Sequence, residues 1–382
     1  MEINKKMRKL IFIVIVVMSS ATYLNAQNSD KEIKFGGRIM YDMAVWGAEE
    51  MDNTGQEFRR VRFFSSGTMY SNINYKLQLE FAGGKIAFKD VFIELNKLPI
   101  KGNLRVGHFK EPLRLEALNS SKYITFMERG LPIAFAPERN TGAMYHTTFG
   151  DKLSIQSGVF RNSDAFGNDK SATNNVNITS RITYLAISDG DKLLHLGISN
   201  SIRKNSDNDY GFSSRAENHM GSELLSVEFI NQVKDVNIIA GEMAYVNSSL
   251  SLQGEVVQTT VNTENGQGNA PFAHEIISYY GQLSYFLTGE SRSYKSSLTG
   301  FGRVKPKNNY GKNGWGALEV AARFSAIDMQ EDGSLEDFTI GLNWYLNPNT
   351  RVMLNYVMGE LTDGVGEVIT ENAVMMRIQL DF

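Results

Sequence analysis

The strongest constraint on the fold is the period-two alternation of residues 374–382. One side of this stretch carries only apolar residues: Val374, Met376, Ile378, Leu380 and Phe382. The other side carries Met375, Arg377, Gln379 and Asp381. Strict alternation builds a strand with one apolar and one polar face. An edge strand of a secreted β-sandwich would show it too, but closure on Phe favours a strand that faces lipid in an outer-membrane β-barrel.

The same alternation recurs along the chain and predicts an all-β protein. Apolar and polar residues alternate in seven further stretches, at 75–81, 153–159, 225–229, 277–285, 318–324, 338–344 and 352–356. Each predicts a strand with one side chain in lipid and the next in a lumen. Candidate strands number about 16, and no helical period competes with them. The predicted fold is therefore a transmembrane antiparallel β-barrel of about 16 strands.

Polar segments predict how these strands are connected. Residues 346–350 contain Asn-Pro-Asn and predict a tight turn on the short, periplasmic side. Three longer polar segments, 162–177, 204–218 and 248–271, predict extracellular loops.

The N-terminal residues predict export. Four bases, Lys5, Lys6, Arg8 and Lys9, precede an apolar run at 10–18. That run is far shorter than the roughly 20 residues of a membrane-spanning helix, and no other segment approaches this length. We expect a cleaved signal peptide at 1–26, with cleavage after Ala26, and one barrel domain at 27–382. Without cysteine, the chain has no lipid-anchored N-terminus and no disulfide framework.

Motifs that would indicate an enzyme are missing from the sequence. There is no His-Glu-x-x-His zinc motif, no Gly-x-Ser-x-Gly elbow and no Gly-rich phosphate loop followed by Lys-Ser or Lys-Thr. We therefore predict no enzyme activity, no cofactor, no metal and no nucleic-acid partner. A Ser/His/acid site assembled from distant strands is a minor alternative.

Several blocks of sequence resemble the phosphate-selective porin O and P family, and together they extend over nearly all of 27–382. The densest are Ser-Ser-Lys-Tyr-Ile-Thr-Phe-Met-Glu-Arg at 120–129 and Gly-Leu-Asn-Trp-Tyr-Leu-Asn-Pro at 341–348. Further blocks lie at 34–38, 57–62, 81–85, 88–90, 103–112 and 287–290. The resemblance implies a 16-stranded outer-membrane barrel, usually trimeric, with loop 3 folded into the pore. It also implies a constriction lined by arginine and lysine that passes phosphate or other anions.

The resemblance also implies a set of pore-lining residues. They are Arg38 in the first strand, the adjacent pair Arg59 and Arg60, Asp90 in the strand before loop 3, Lys122 and Arg129 in the densest block, and Arg215 in a loosely matching region. The alternative for each base is that it does not line the constriction and only faces water in the lumen or snorkels at the rim. Neighbours in a strand face opposite sides unless a bulge intervenes, so Arg60 is favoured over Arg59.

One position departs from the family pattern. Ala117 follows Glu116, where phosphate-specific members carry a constriction lysine. Lys122 lies close by in sequence, but the sequence does not show that it substitutes. The formal net charge of −3 does not help an anion pore, although the local lining decides selectivity.

The sequence thus predicts an outer-membrane diffusion channel in lipid, exported by a Gram-negative bacterium. The family resemblance implies that it assembles as a homotrimer. Anion selectivity is expected, with phosphate or polyphosphate as the candidate solute. Two alternatives stay open. One is a general, weakly selective porin, and the other is a surface adhesin or receptor whose function lies in the long loops.

Overall fold

The computed structural model describes residues 31–48, 50–169, 175–204, 209–264, 272–312 and 314–382, with only the backbone described at 228, 229, 231 and 272. The predicted signal peptide at 1–26 lies outside these residues, so its cleavage after Ala26 stays a prediction.

Twenty strands form in the described part of the chain. They are β1 (Lys31–Gly47), β2 (Asn53–Met69), β3 (Ile73–Glu80), β4 (Ala87–Leu95), β5 (Asn103–Lys110), β6 (Arg139–Phe149), β7 (Leu153–Arg161), β8 (Asn177–Asp189), β9 (Lys192–Lys204), β10 (Asp209–Ser214), β11 (Leu225–Asn231), β12 (Val233–Asn247), β13 (Leu250–Thr263), β14 (Phe272–Phe286), β15 (Tyr294–Ser296), β16 (Gly300–Phe301), β17 (Ala317–Asp328), β18 (Gly333–Asn347), β19 (Thr350–Asp363) and β20 (Val368–Asp381).

Sixteen of these strands close into an antiparallel barrel, which confirms the predicted fold. Each barrel strand pairs with the next along the chain, and β1 pairs with β20 to close the cylinder. The pair β10–β11 and the pair β15–β16 form two separate small sheets. Closure leaves the barrel without a free edge, which is what lipid requires of a sheet.

The predicted alternation of β20 is confirmed by side-chain exposure. Val374, Ile378 and Leu380 are 37–44% exposed on the outer face, whereas Arg377 and Asp381 are at most 2% exposed. The apolar face therefore meets lipid and the polar face points into the lumen.

Within the described ranges, helical structure is confined to short turns. They are α1 (Leu115–Leu118) and the 3₁₀ turns Ala82–Gly84, Leu131–Phe135 and Gln330–Asp332. Among the described residues no helix has the length and apolar character needed to cross a bilayer.

Loop 3, residues 111–138, joins β5 to β6 and folds into the lumen as predicted. Three inward side chains from the opposite wall donate to its backbone carbonyls. Arg351 donates to Ile124 O (2.8 Å), Asn343 to Thr125 O (2.8 Å) and Arg377 to Met127 O (2.5 Å).

A second segment enters the lumen from the opposite end. Five connections at this end are only two or three residues long, at 70–72, 150–152, 190–191, 248–249 and 348–349, and we call it the short-turn end. The β14–β17 connection, residues 287–316, lies here too, and we call it the inward segment. Its Ser297 carbonyl accepts from Arg181 (2.6 Å), and its Arg292 donates to Gln253 (2.7 Å). The sequence did not predict this segment.

Three predictions about loops and strands were wrong in part. The supposed loop at 248–271 contains β13, a full barrel strand. The supposed barrel strand at 225–229 lies within β11, which pairs with β10 inside the β9–β12 connection. The predicted loop at 204–218 likewise contains β10, whereas 162–177 connects β7 to β8 as expected.

An apolar cluster explains why β11 resembles a barrel strand. Leu225 is 5% exposed and packs with Val236 and Val257 from the lumenal face of β12 and β13. Leu131 and Phe135 of loop 3 complete the same cluster. This wall of the barrel is therefore filled, and open space remains on the side of β1–β6.

Candidate functional site

The open side of the lumen contains a cavity of about 560 Å³. Strands β1–β6, loop 3 and the inward segment all contribute to its wall. Its described lining includes twelve bases: Lys34, Arg38, Arg59, Arg60, Arg62, Lys76, Lys89, Lys110, Lys122, Arg129, Arg139 and Lys295. Only two acids, Asp90 and Glu138, line it with them. We call this space the cationic cavity.

The cationic cavity contains six of the seven residues proposed from sequence. Arg38, Arg59, Arg60, Asp90, Lys122 and Arg129 all line it. Asp90 lies on β4, so β5 intervenes and the placement in the strand directly before loop 3 was wrong. This geometry brings the residues together, and their action on a solute stays a proposal.

A bulge in β2 brings Arg59 and Arg60 to the same side. Met40 of β1 pairs with Arg60, but the next residue, Tyr41, pairs with Phe58, so Arg59 is the extra residue of the bulge. The sequence favoured Arg60 because strand neighbours normally face opposite sides, and the bulge removes that restriction.

Several bases of the cavity are held by carboxylates. Arg59 forms two hydrogen bonds to Glu128 (2.8 and 2.9 Å). Lys76 and Arg139 share Asp90, at 2.5 and 2.7 Å. These ion pairs fix side-chain positions and neutralise part of the local charge.

Five other bases of the cavity have no carboxylate within ion-pair distance in the described part of the chain. They are Arg38, Lys89, Lys110, Arg129 and Lys295. Arg38 instead donates to the hydroxyl of Ser121 (2.7 Å) and, at 3.4 Å, to that of Ser120. The uncompensated positive charge therefore lies along the wall of the open space.

Lys110 lies where the resemblance leaves a cation missing. Its Nζ donates to the carbonyl of Ala117 and approaches that of Asn119 at 3.5 Å. Lys122, by contrast, is paired with Asp381 at 3.1 Å. An ammonium has three N–H donors, so Lys110 retains one that is not used by these two carbonyls.

Two acids of loop 3, Glu138 and Glu128, stay ionised in this setting. Burial alone would raise the pKa of Glu138, but the charges of Arg139, Lys110 and Arg129 outweigh it and lower the pKa to about 2. Burial opposes ionisation of Glu128 in the same way, yet the neighbouring Arg59 holds its pKa well below 4.5.

Arg215 lies apart from the other proposed residues. It lines a neighbouring cavity of about 250 Å³ that also contacts Arg59, Arg60 and Arg129. Its guanidinium pairs with Glu223 at 2.8 Å, and both side chains are about 40% exposed. Arg215 therefore lies beside the cationic cavity and is already neutralised by Glu223.

Sequence reasoning missed seven of the lining bases: Lys34, Arg62, Lys76, Lys89, Lys110, Arg139 and Lys295. Strand periodicity could have found two of them, since Arg62 shares a face with Arg60 and Lys76 lies on the polar face of β3. Lys295 lies on the inward segment, and no local pattern signals that this segment enters the lumen.

Comparison with known proteins agrees with this architecture. The family model for phosphate-selective porin O and P matches residues 33–382. Porin O of Pseudomonas aeruginosa is 25% identical, over 90% of this chain and 86% of its own length.

Solved porin structures share the fold at low identity. The anion-selective porin from Comamonas acidovorans superposes with a TM-score of 0.61 at 14% identity, covering 92% of this chain and all of that one. The trimer form of OmpT from Vibrio cholerae gives 0.58 at 12% identity, covering 93% and 100%. Taken with the family match over 33–382, the chain belongs to the phosphate-selective porin O and P family and is an outer-membrane β-barrel porin.

Proposed function

We propose that the chain forms an anion-selective diffusion pore with phosphate as its first candidate solute. The observation that carries the proposal is the lining of the cationic cavity, where twelve bases face two acids. A low-dielectric wall strengthens each of these charges relative to open water. Solute moves down its gradient without a chemical step.

The protein's net charge does not contradict this proposal. The whole chain carries a formal charge of −3, and the expected signal peptide would remove four of its bases. Selectivity depends on the charges that line the path, and the excess of acids lies elsewhere. Anion passage is therefore compatible with an acidic protein.

Phosphate suits the donors present in the cavity. A dehydrating phosphate needs replacement hydrogen bonds, which guanidinium and ammonium groups supply together with hydroxyls. Arg38 lies beside Ser121, and Lys110 supplies positive charge next to Ala117. Several weak sites in sequence let an ion enter and also leave.

The proposed assembly is a homotrimer. Its support is the similarity of fold to OmpT of Vibrio cholerae, which has been solved in a trimer form. Light scattering of the detergent-solubilised protein would measure the mass of the assembly. A monomer mass in mild detergent would contradict the trimer and leave the pore proposal standing.

The proposal is tested by the reversal potential of the purified protein in a planar bilayer under a KCl gradient, repeated with added phosphate. We expect an anion-selective current that phosphate blocks, and a reduction of both effects in Arg38→Gln and Arg60→Gln. Lys152→Gln, an exposed base in the 150–152 turn, is the control and should behave as wild type.

The other outcomes separate the alternatives. A weakly selective or cation-selective current would contradict the anion pore and support a general porin. Well-folded protein without conductance would contradict a pore and turn attention to an adhesin or receptor.

A further inference from the structure

A smaller space adjoins the cationic cavity and differs from it in character. Its volume is about 130 Å³. Lys76, Asp90, Lys110, Leu118 and Thr299 line both spaces, so the two share a boundary. We call this space the side chamber.

The walls of the side chamber are mostly apolar. They include Phe92, Phe109, Pro112, Met144 and Leu298. The two phenylalanine rings meet edge to face, with their centroids 6.0 Å apart. A small inorganic ion would lose hydration here and find little in return, whereas a carbon skeleton would be well accommodated.

Two charged groups near these walls are already engaged. The Arg105 guanidinium lies 4.2 Å from the centre of the Phe92 ring, and it is bound to Glu94 at 2.7 Å. Asp90 is held by Lys76 and Arg139. These groups therefore define the shape of the side chamber and are not free to capture a second ion.

Gln156 of β7 is the exception among the polar residues of the side chamber. Its side chain is 1% exposed and lines this space. Within the described residues neither its Oε1 nor its Nε2 has a hydrogen-bond partner. Buried amides are nearly always bonded, so this one marks a place for a group that both donates and accepts.

We propose that the side chamber holds the carbon body of a small organic phosphate while the phosphate group stays in the cationic cavity. This inference rests on the proposed anion pore and narrows its substrate class to phosphomonoesters with a short hydroxylated body. Lys110, which has no carboxylate partner among the described residues, lies at the shared boundary, where the phosphate joins the body. Gln156 would bond a hydroxyl of the body.

The size of the side chamber agrees with this assignment. A cavity needs only about 10–15 Å³ of such space to hold one water, so the side chamber is large enough for several waters or for a body of three carbons. Glycerol 3-phosphate is therefore the probe, because it combines such a body with a charge close to that of inorganic phosphate.

The test compares block of the KCl current by glycerol 3-phosphate and by inorganic phosphate in planar bilayers. We expect glycerol 3-phosphate to block wild type at the lower concentration. Gln156→Met removes the amide and keeps the length of the side chain. It should weaken block by glycerol 3-phosphate about 2- to 10-fold, as loss of one hydrogen bond does, and leave block by phosphate unchanged.

Two further variants make the result decisive. Gln282→Met changes a lumenal glutamine of β14 that lines neither space, and it should match wild type. Leu298→Phe fills the side chamber from the inward segment and should remove the preference for glycerol 3-phosphate even if Gln156→Met does not fold.

Failure of this inference differs from failure of the pore proposal. If phosphate blocks an anion current but both anions block equally in wild type, or if Gln156→Met equals Gln282→Met, the side chamber holds ordered water only. If neither anion blocks and the current is not anion-selective, the anion pore and the side chamber fail together.

Discussion

Lys110 and Arg129 show how single residues serve both the loop and the cavity. Arg129 donates to the carbonyls of Glu116 (2.8 Å) and Asn119 (2.7 Å), and Lys110 donates to that of Ala117. These carbonyls belong to α1 and its end, where a helix leaves acceptors unsatisfied. The same two cations line the open space, so positioning of loop 3 and attraction of anions use the same charges.

Replacing Lys110 should therefore reduce anion selectivity. We expect Lys110→Gln to lower the chloride-to-potassium permeability ratio and to weaken phosphate block, because a cavity cation is lost. Adding Ala117→Lys should restore part of both, since the two positions are in contact. Reversal potentials of the single and double variants measure this. A double variant no better than the single would mean that Lys110 acts only on loop structure.

Replacing Glu138 should change anion selectivity in the opposite direction. It is one of two acids in the cavity lining, so Glu138→Gln should increase anion selectivity. A lowered pKa means the carboxylate is lost only as the pH falls from the ordinary 4.5 towards about 2. The difference between variant and wild-type reversal potentials should thus be equal at about pH 7 and pH 5. A difference that shrinks at pH 5 would contradict the low pKa.

Single residues were predictable where they lie in sequence blocks that resemble the family. Arg38, Arg60 and Arg129 were proposed from short sequence blocks, and all three line the cavity. Arg59 required a bulge, whose position depends on pairing with β1 and leaves no mark in the sequence of β2 alone. Lys110 was missed because its role depends on the fold of loop 3 above it.

At the scale of whole elements, loop 3 is fixed from the opposite wall. Side chains of β18, β19 and β20 capture three successive stretches of its backbone. Backbone carbonyls buried in a lumen need such partners, because no regular ladder satisfies them. The position of loop 3 in the lumen therefore depends on three side chains that do not line the cationic cavity.

Removing one of these anchors should loosen the constriction. Asn343→Leu leaves the Thr125 carbonyl without its donor, and we expect a larger, noisier single-channel conductance with weaker anion selectivity. Gln282→Leu serves as the matched lumenal control, since Gln282 makes no hydrogen bond to loop 3 in the part of the chain that the structure describes. Unchanged conductance in Asn343→Leu would show that the other anchors hold the loop without it.

The elements that the sequence misread have mixed patterns for physical reasons. In β13, Val257 and Val261 point inward to the apolar cluster, while Gln258 and Thr260 point outward. Polarity is thus inverted at one end of the strand, and the segment resembles a loop. In β11 the alternating apolar residues pack into the cluster inside the barrel. The sequence therefore predicted a strand correctly but assigned it to the barrel wall, whereas β11 pairs with β10.

For the molecule as a whole, the distribution of charge matters more than its sum. The cavity is strongly cationic although the chain is acidic. Screening acts over about 10 Å at 0.1 M salt and about 3 Å at 1 M. The positive charge of the cavity therefore attracts distant anions at low salt and hardly attracts them at high salt.

Anion selectivity should accordingly depend on ionic strength. For a fixed tenfold KCl gradient, we expect the reversal potential to move towards zero as the mean concentration rises from about 0.05 M to about 1 M. Arg38→Gln should show a smaller change over the same range because less charge remains to be screened. A reversal potential independent of salt would indicate that pore width, and not lining charge, sets selectivity.

The seam between β1 and β20 has a consequence for biogenesis. Every other ladder of the barrel joins two barrel strands that are consecutive along the chain. The seam instead joins the first strand to the last, pairing Arg38 with Asp381 and Gly47 with Asn372. Contacts so distant in sequence are slow to form because a very long loop must close first. Until that happens, the chain presents two open strand edges, each able to recruit a foreign strand. A newly exported chain therefore needs a companion that covers an edge, or a membrane that receives the last strand quickly, to avoid polymerising in the periplasm.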